Sequence, residues 1–135
     1  MGDRNQTIID DFRANEGKVG GMFEGRPLLL LHHVGAKTGT ERVSPLMYQA
    51  VSGGFAVFAS KAGADTNPDW FHNLKASPET KVEVGTELVA VRARIARGDE
   101  YDRIWSKQKL DWPHFAEYER KTTRERIPVV VLERI

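Results

Sequence analysis

L-L-L-L-H-H-V-G-A-K-T-G-T-E-R-V-S-P-L-M-Y-Q-A-V-S-G-G-F-A-V-F-A-S, residues 28–60, holds three apolar runs separated by two short breaks rich in turn formers. Leu28–Val34 is continuous apart from His32 and His33 and has the length of a buried strand. Residues 35–40 form a turn and residues 43–51 the returning strand, while Ser52-Gly53-Gly54 signals a hairpin before residues 55–60. In that third run Phe55, Val57 and Ala59 alternate with Ala56 and Phe58, so neither face is polar. The segment predicts three antiparallel strands on short turns, the third covered on both sides.

Working outward, Ile8, Ile9 and Phe12 place one apolar face on a short amphipathic helix over residues 7–16, ended by Gly17, Gly20 and Gly21. Residues 1–24 thus form a helical extension. Asn67-Pro68-Asp69 starts a helix with Trp70, Phe71 and Leu74 on one stripe, stopping near Ser77-Pro78. Residues 81–84 and 87–95 alternate about Gly85-Thr86 as a further hairpin. A longer helix opens at Gly98-Asp99 with Tyr101, Ile104, Trp105 and Leu110 inward. It breaks at Trp112-Pro113 and resumes through Phe115 and Tyr118. Residues 127–132 make a last β-branched strand. About six meandering strands and two inserted helical regions predict a mainly β fold, a small closed or partly open barrel with peripheral helices, in one domain over residues 1–135.

Hydrophobic residues at 40% and charged residues at 29% are ordinary for a water-soluble globular chain, and a formal net charge of +1 lacks the basic excess of a nucleic-acid binder. With no cysteine, disulfides, thiolate catalysis and Cys-based zinc sites are excluded. No apolar run reaches the roughly 20 residues needed to span a bilayer, so a cytoplasmic location is the expectation. The N-terminal helix either caps the barrel or rests peripherally on a membrane; Asp10 and Asp11 weaken attraction to anionic lipid and favour capping.

Chemistry concentrates in two small basic segments that carry glycine, residues 35–45 and 60–64. The first offers Lys37, Thr38, Arg42 and Ser44 before Pro45; the second offers Ser60, Lys61 and Ala62 where a buried strand ends. Cations, hydroxyls and turn glycines at two neighbouring strand ends suit a phosphorylated, anionic ligand. The order of a phosphate loop is absent, and residues 35–45 join strand to strand, so no helix dipole follows the turn. Solvated turns with incidental charge are the alternative. Trp70 either stacks on a planar ring or fills the core. His32 and His33, adjacent on a strand, point to opposite faces and cannot share a metal locally, so no metal is expected. Trp112, Phe115 and Tyr118 fall at i, i+3 and i+6 and can wall an apolar substrate pocket, with the Tyr118 phenol able to donate to a developing oxyanion.

Taken in order, residues 28–46, A-S-K-A-G-A, N-P-D-W-F-H-N-L-K-A-S-P and the closing I-P-V-V-V-L-E resemble the deazaflavin-dependent nitroreductase family of actinobacteria, from about Gly25 to the C-terminus. The resemblance implies a split β-barrel oxidoreductase that binds the 8-hydroxy-5-deazaflavin coenzyme F-420, whose phosphate and oligoglutamate tail is anionic. It implies that Lys37, Thr38, Arg42, Ser44 and Pro45 belong to the tail-binding turn and the strand start after it, that Ser60, Lys61 and Ala62 line phosphate and ring, and that Trp70 lies near the deazaflavin. Ser60 and Tyr118 are then the catalytic candidates, polarising an electron-poor acceptor such as a quinone, nitro compound or activated enone. Family members often carry tyrosines where this chain has Trp112 and Phe115. Flavin mononucleotide on a related barrel, or non-catalytic storage of the deazaflavin, are the competing expectations.

Overall fold

The computed structural model describes residues 3–20 and 25–135. Its elements run α1 (Asp3–Ala14), β1 (Leu28–Val34), β2 (Glu41–Val51), β3 (Gly54–Phe58), a 3-10 turn (Lys61–Gly63), α2 (Asp69–Ala76), β4 (Glu79–Val84), β5 (Glu87–Ile95), α3 (Gly98–Asp111), α4 (His114–Lys121) and β6 (Val129–Arg134). The six strands close into an antiparallel barrel in the order β1-β2-β3-β6-β5-β4. Every predicted strand and helix is present, and the barrel is closed. The 3-10 turn was not anticipated, and Gly21 lies outside the described residues.

Two apolar layers arise from the same strands because side chains alternate across a sheet. Leu29, Leu31, Phe55, Val57, Val82, Val91, Val130 and Leu132 point inward, and Trp70, Phe71 and Leu74 of α2 pack on them. Outside, Ala56 and Phe58 of β3 and Val129 and Val131 of β6 are covered by Tyr101, Ile104 and Trp105 of α3 and Phe115 of α4. Leu28 and Leu30 of β1 are covered by Ile9 and Phe12 of α1. That is why β1 and β3 read as unbroken apolar runs.

The apolar face of α1 is therefore spent on the barrel, with Phe12 only 1% exposed. Arg13 adds a two-pronged pairing to Glu83 of β4, at 3.0 and 2.7 Å, and the same carboxylate meets His32 Nε2 at 2.7 Å. Among the described residues no helix is long and apolar enough to cross a membrane.

On α3 the buried positions are Tyr101, Ile104, Trp105 and Gln108, a regular i, i+3, i+4, i+7 face. Leu110, expected inward, is 80% exposed. The apolar character of Leu110 misled; helical phase gives its place to Gln108, whose Oε1 accepts from Gln49 Nε2 at 3.3 Å.

β2 and β3 are unequal. β3 pairs with only the Tyr48–Val51 part of β2, so the Glu41–Met47 part, paired with β1 on one side, has no strand on the other among the described residues. Tyr48 N–H turns toward β1, donating to Pro27 O at 3.1 Å. By alternation the nitrogen of Pro45 faces the open edge, where a missing donor costs no ladder bond. The barrel closes through β2 and β3 but carries an unpaired seam along this part of β2.

Phe12→Ala should cost about 3 kcal/mol or more, the usual penalty for emptying a buried aromatic position. Hydrogen exchange should then accelerate in α1 while β3 and β6 keep their protection; uniform loss of protection would mean that α1 is not a separately docked element.

Candidate functional site

Two depressions flank the N-terminus of α2. One is a groove of about 540 Å³ between the β1–β2 turn and α2, lined by Lys37, Thr38 and Arg42 on one side and Asp69, His72 and Asn73 on the other. The second, of about 240 Å³, opens in the seam and is walled by Pro45 and Met47 of β2, Phe58, the Ser60–Ala62 turn, Pro68, Trp70, and His114, Phe115 and Tyr118 of α4. Of the residues singled out from sequence, Lys37, Thr38 and Arg42 meet in the groove, while Pro45, Ser60, Lys61, Ala62, Trp70, Phe115 and Tyr118 meet in the cleft.

Two expected lining residues fall outside both. Ser44 Oγ is engaged with His33 Nε2 at 2.8 Å, because β2 turns this side chain toward β1 and α2. Trp112 terminates α3 beneath the Arg26 guanidinium, 5.9 Å from its ring centre. Trp70 is 6% exposed; it packs in the inner core and also lines the cleft.

The basic turn is held from below by a buried polar chain. Gly35 N–H donates to Thr40 O and Gly39 N–H to Gly35 O, each at 2.9 Å, and Gly39 at φ +71° supplies the left-handed residue. Ala36 N–H donates to Asn73 Oδ1 at 2.9 Å, so the Asn73 amide must present Nδ2–H to His33 Nδ1, also at 2.9 Å. His33 then carries its proton on Nε2 and donates to Ser44 Oγ. Burial, followed by the Arg42 charge, pushes His33 down to about 4, and the ring is neutral at pH 7.

At the other strand end the backbone is strained. Ser60 is right-handed at φ −76°, and Lys61, Ala62 and Gly63 follow in the left-handed region at φ +47°, +54° and +81°. A right-handed residue followed by a left-handed one turns successive N–H groups to one side, the geometry of an anion-binding nest. Non-glycine residues persist in this region only where the surroundings enforce it. Here Arg124 does so: its guanidinium donates to Ala59 O at 2.8 Å, Ser60 O at 2.9 Å, Asn67 Oδ1 at 2.6 Å and Thr122 Oγ1 at 2.9 Å. Gly63 lies so close to α4 that a Cβ there would stand 3.1 Å from the Tyr118 Cα. The turn and Tyr118 are thus fixed to each other.

The family model for F420H(2)-dependent quinone reductase matches residues 4–134. The chain belongs to this family. An F420H(2)-dependent quinone reductase of Mycobacterium tuberculosis is 35% identical over 127 residues, covering 91% of this chain and 85% of the relative. Among solved structures, an F420-H2 dependent reductase, FDR-A, superposes with TM-score 0.69 at 36% identity over 78% of this chain and 94% of its own. A chain described as a domain-swapped dimer superposes with TM-score 0.73, also at 36% identity, over 96% of each. The quinone reductase family comprises oxidoreductases, and its split barrel is the fold found here.

Within this family member, sequence reasoning missed Arg124, His33 with Asn73, and His114. Arg124 was one arginine in a charged stretch, and nothing local marks a side chain that reaches back more than sixty residues to Ala59 and Ser60. His33 and Asn73 carried a signal, polar residues at buried positions of a strand and a helix, but their pairing is tertiary.

His33 has a folded-state affinity for protons below its unfolded value, so the unfolded chain binds more protons between about pH 6.5 and 4 and stability must fall as pH falls through that window. Urea unfolding should show this loss, at most about 1.4 kcal/mol per pH unit from one histidine. His33→Gln should flatten the slope, and an unchanged slope would assign the effect elsewhere.

Proposed function

We propose that this chain reduces quinones or similar electron-poor acceptors with the reduced deazaflavin coenzyme F-420, the anionic tail lying on Lys37, Thr38 and Arg42 and the ring entering the cleft beside Ser60–Ala62 and Trp70. The observation that carries this reading is the adjacency, across one helix terminus, of an exposed groove carrying Lys37 and Arg42 and a cleft whose aromatic and aliphatic walls stand beside Lys61 and Arg26. The donor set fits such a coenzyme. Arg42 offers a planar fork to phosphate or carboxylate oxygens, Lys37 a mobile charge, the Ser60–Lys61 turn its N–H groups, and the start of α2 the positive end of a helix. Asp69 in the same groove opposes one of these charges, so the anion is best held toward Lys37 and Arg42.

When bound, the reduced deazaflavin supplies a hydride from its ring. The residues of this chain orient and polarise. Phe58, Phe115 and Met47 give the cleft apolar walls that exclude water and suit a flat acceptor. Ser60 and Tyr118 border the same space and can donate to an acceptor oxygen as it gains negative charge, where a preorganised donor is typically worth a few kcal/mol.

Titration of the cofactor-free protein with F-420 and, separately, with flavin mononucleotide tests the reading, because Lys37 and Arg42 in the groove would have an oligoglutamate tail to hold in the first and none in the second. Preferential binding of F-420 with steady turnover of a quinone is the expected result. Preference for the flavin, or tight F-420 binding without acceptor-dependent oxidation, would replace it by a flavoenzyme or a storage protein. Arg42→Ala should weaken F-420 binding about ten- to hundredfold, the cost of one charge-assisted contact. Tyr118→Phe with Ser60→Ala should lower kcat far more than it raises KM.

A further inference from the structure

His114 begins α4, and its side chain lines the apolar cleft together with Ser60 and Tyr118. Its ring centre lies 5.3 Å from that of Tyr118 at 78° and 4.5 Å from that of Phe115. Half-buried, the imidazole touches both the cleft and solvent. The charged and titratable groups around it are Arg26 from the segment before β1, Lys61 from the 3-10 turn, and Glu117 and Tyr118 from its own helix. Burial first, then the Arg26 charge, holds it below the usual histidine range, with Glu117 opposing. The positive end of α4 acts in the same direction as Arg26. At pH 7 the ring is neutral, one nitrogen carrying a proton and the other bare.

We propose that His114 delivers the proton taken up by the oxygen of the reduced acceptor. The proposal rests on the reading of the cleft as the acceptor's place. Hydride addition to one oxygen of a quinone leaves an electron pair on the other oxygen as an oxyanion. The bare ring nitrogen of His114, on the solvent side, takes a proton from water at the mouth of the cleft and the ring becomes imidazolium. The N–H bond on the cleft side then breaks, its electrons staying on nitrogen, and an O–H bond forms on the acceptor, so the imidazole ends neutral, as its other tautomer, and hydroquinone leaves. The proton drawn from water is matched by the one that two-electron oxidation of the coenzyme returns.

Tyr118 can donate a hydrogen bond to the same oxygen, but a phenol gives up and regains its proton at one atom, the one that faces the acceptor. An imidazole has two edges. The oxyanion also favours proton uptake by a histidine beside it, so the ring that is neutral at rest gains proton affinity at the moment it is needed.

The test uses the full chain with His114→Phe, which keeps an aromatic wall without a proton, and His114→Gln, which keeps an N–H donor that cannot relay. With 2-methyl-1,4-naphthoquinone as acceptor, both variants should lose about a hundredfold in kcat, while its affinity for the cofactor-free protein changes by less than about twofold. Unchanged kcat in His114→Phe, or full activity in His114→Gln, overturns the proposal. A readout independent of turnover is the ring-nitrogen NMR titration of His114 in cofactor-free protein, with and without 2-hydroxy-1,4-naphthoquinone, an anionic quinone mimic. The mimic should raise the titration of His114, and the absence of any shift overturns the proposal. Lack of quinone turnover by the unsubstituted protein would instead strike the function proposed above, and the NMR titration alone would then decide the role of His114.

Discussion

β2 runs for 11 residues and β3 for 5, and the excess of one over the other governs what surrounds the site. A strand edge without a partner presents N–H and C=O groups that must be satisfied or removed. Pro45 removes one donor from that edge. The chain leaving β3 cannot follow β2, so it folds into the left-handed turn at Lys61–Gly63, and Arg124 takes up the carbonyls of Ala59 and Ser60 that would otherwise have no ladder partner. The cleft is the space between the unpaired part of β2, this turn and α4. It follows from unequal strand lengths, with no added loop or insertion needed.

The walls of that space are rigid because they are structural elsewhere. Phe58 is the last residue of β3 and packs at 5.9 Å and 5.5 Å, centre to centre, on Trp105 and Phe115. Trp105 in turn is tied through its indole N–H to Glu119, which also meets Lys109 at 3.0 Å, joining α3 to α4. The face of α4 that borders the cleft is therefore fixed by the same aromatic cluster that covers the outside of the barrel. Moving Tyr118 or His114 means disturbing that cluster.

The strands were legible because double coverage leaves a strong mark: Leu28–Leu31 and Phe55–Phe58 are apolar at every position, and turn residues bound them closely. Their arrangement as a barrel followed from short connections. The basic turn and the strand end also stand out in the sequence, as cations and hydroxyls beside glycine. What could not be read was which groups hold them. The Ser60–Ala64 turn depends on Arg124, and the Gly35–Thr40 turn on Asn73, both distant in the chain. Leu110 failed for the opposite reason, because residue type was weighed above helical phase. Ser44 is a hydroxyl at the right place in the sequence, but strand alternation turns it toward His33, which engages it.

The polarity of the buried chain under the basic turn is set by a single backbone group. Ala36 N–H needs an acceptor, which orients the Asn73 amide; the amide then presents a donor, which makes His33 Nδ1 an acceptor and leaves its proton on Nε2 for Ser44. A protonated His33 has no lone pair at Nδ1, so it cannot accept from Asn73, and the support of Ala36 and the turn beyond it loosens. The neutral ring also matters electrically. Arg42 lies opposite His33 in the β1–β2 register, and a second positive charge beneath it would raise the cost of burial. Keeping the charge on the exposed guanidinium alone places it in water, where an anion can reach it and where its pull is screened beyond roughly 8 Å at physiological salt. The groove thus attracts at short range and from the surface, while the cleft beside it is lined largely by apolar and uncharged side chains, with Arg26 and Lys61 as its cations. Cations thus stand in both depressions, and the cleft adds aromatic walls for a flat ring.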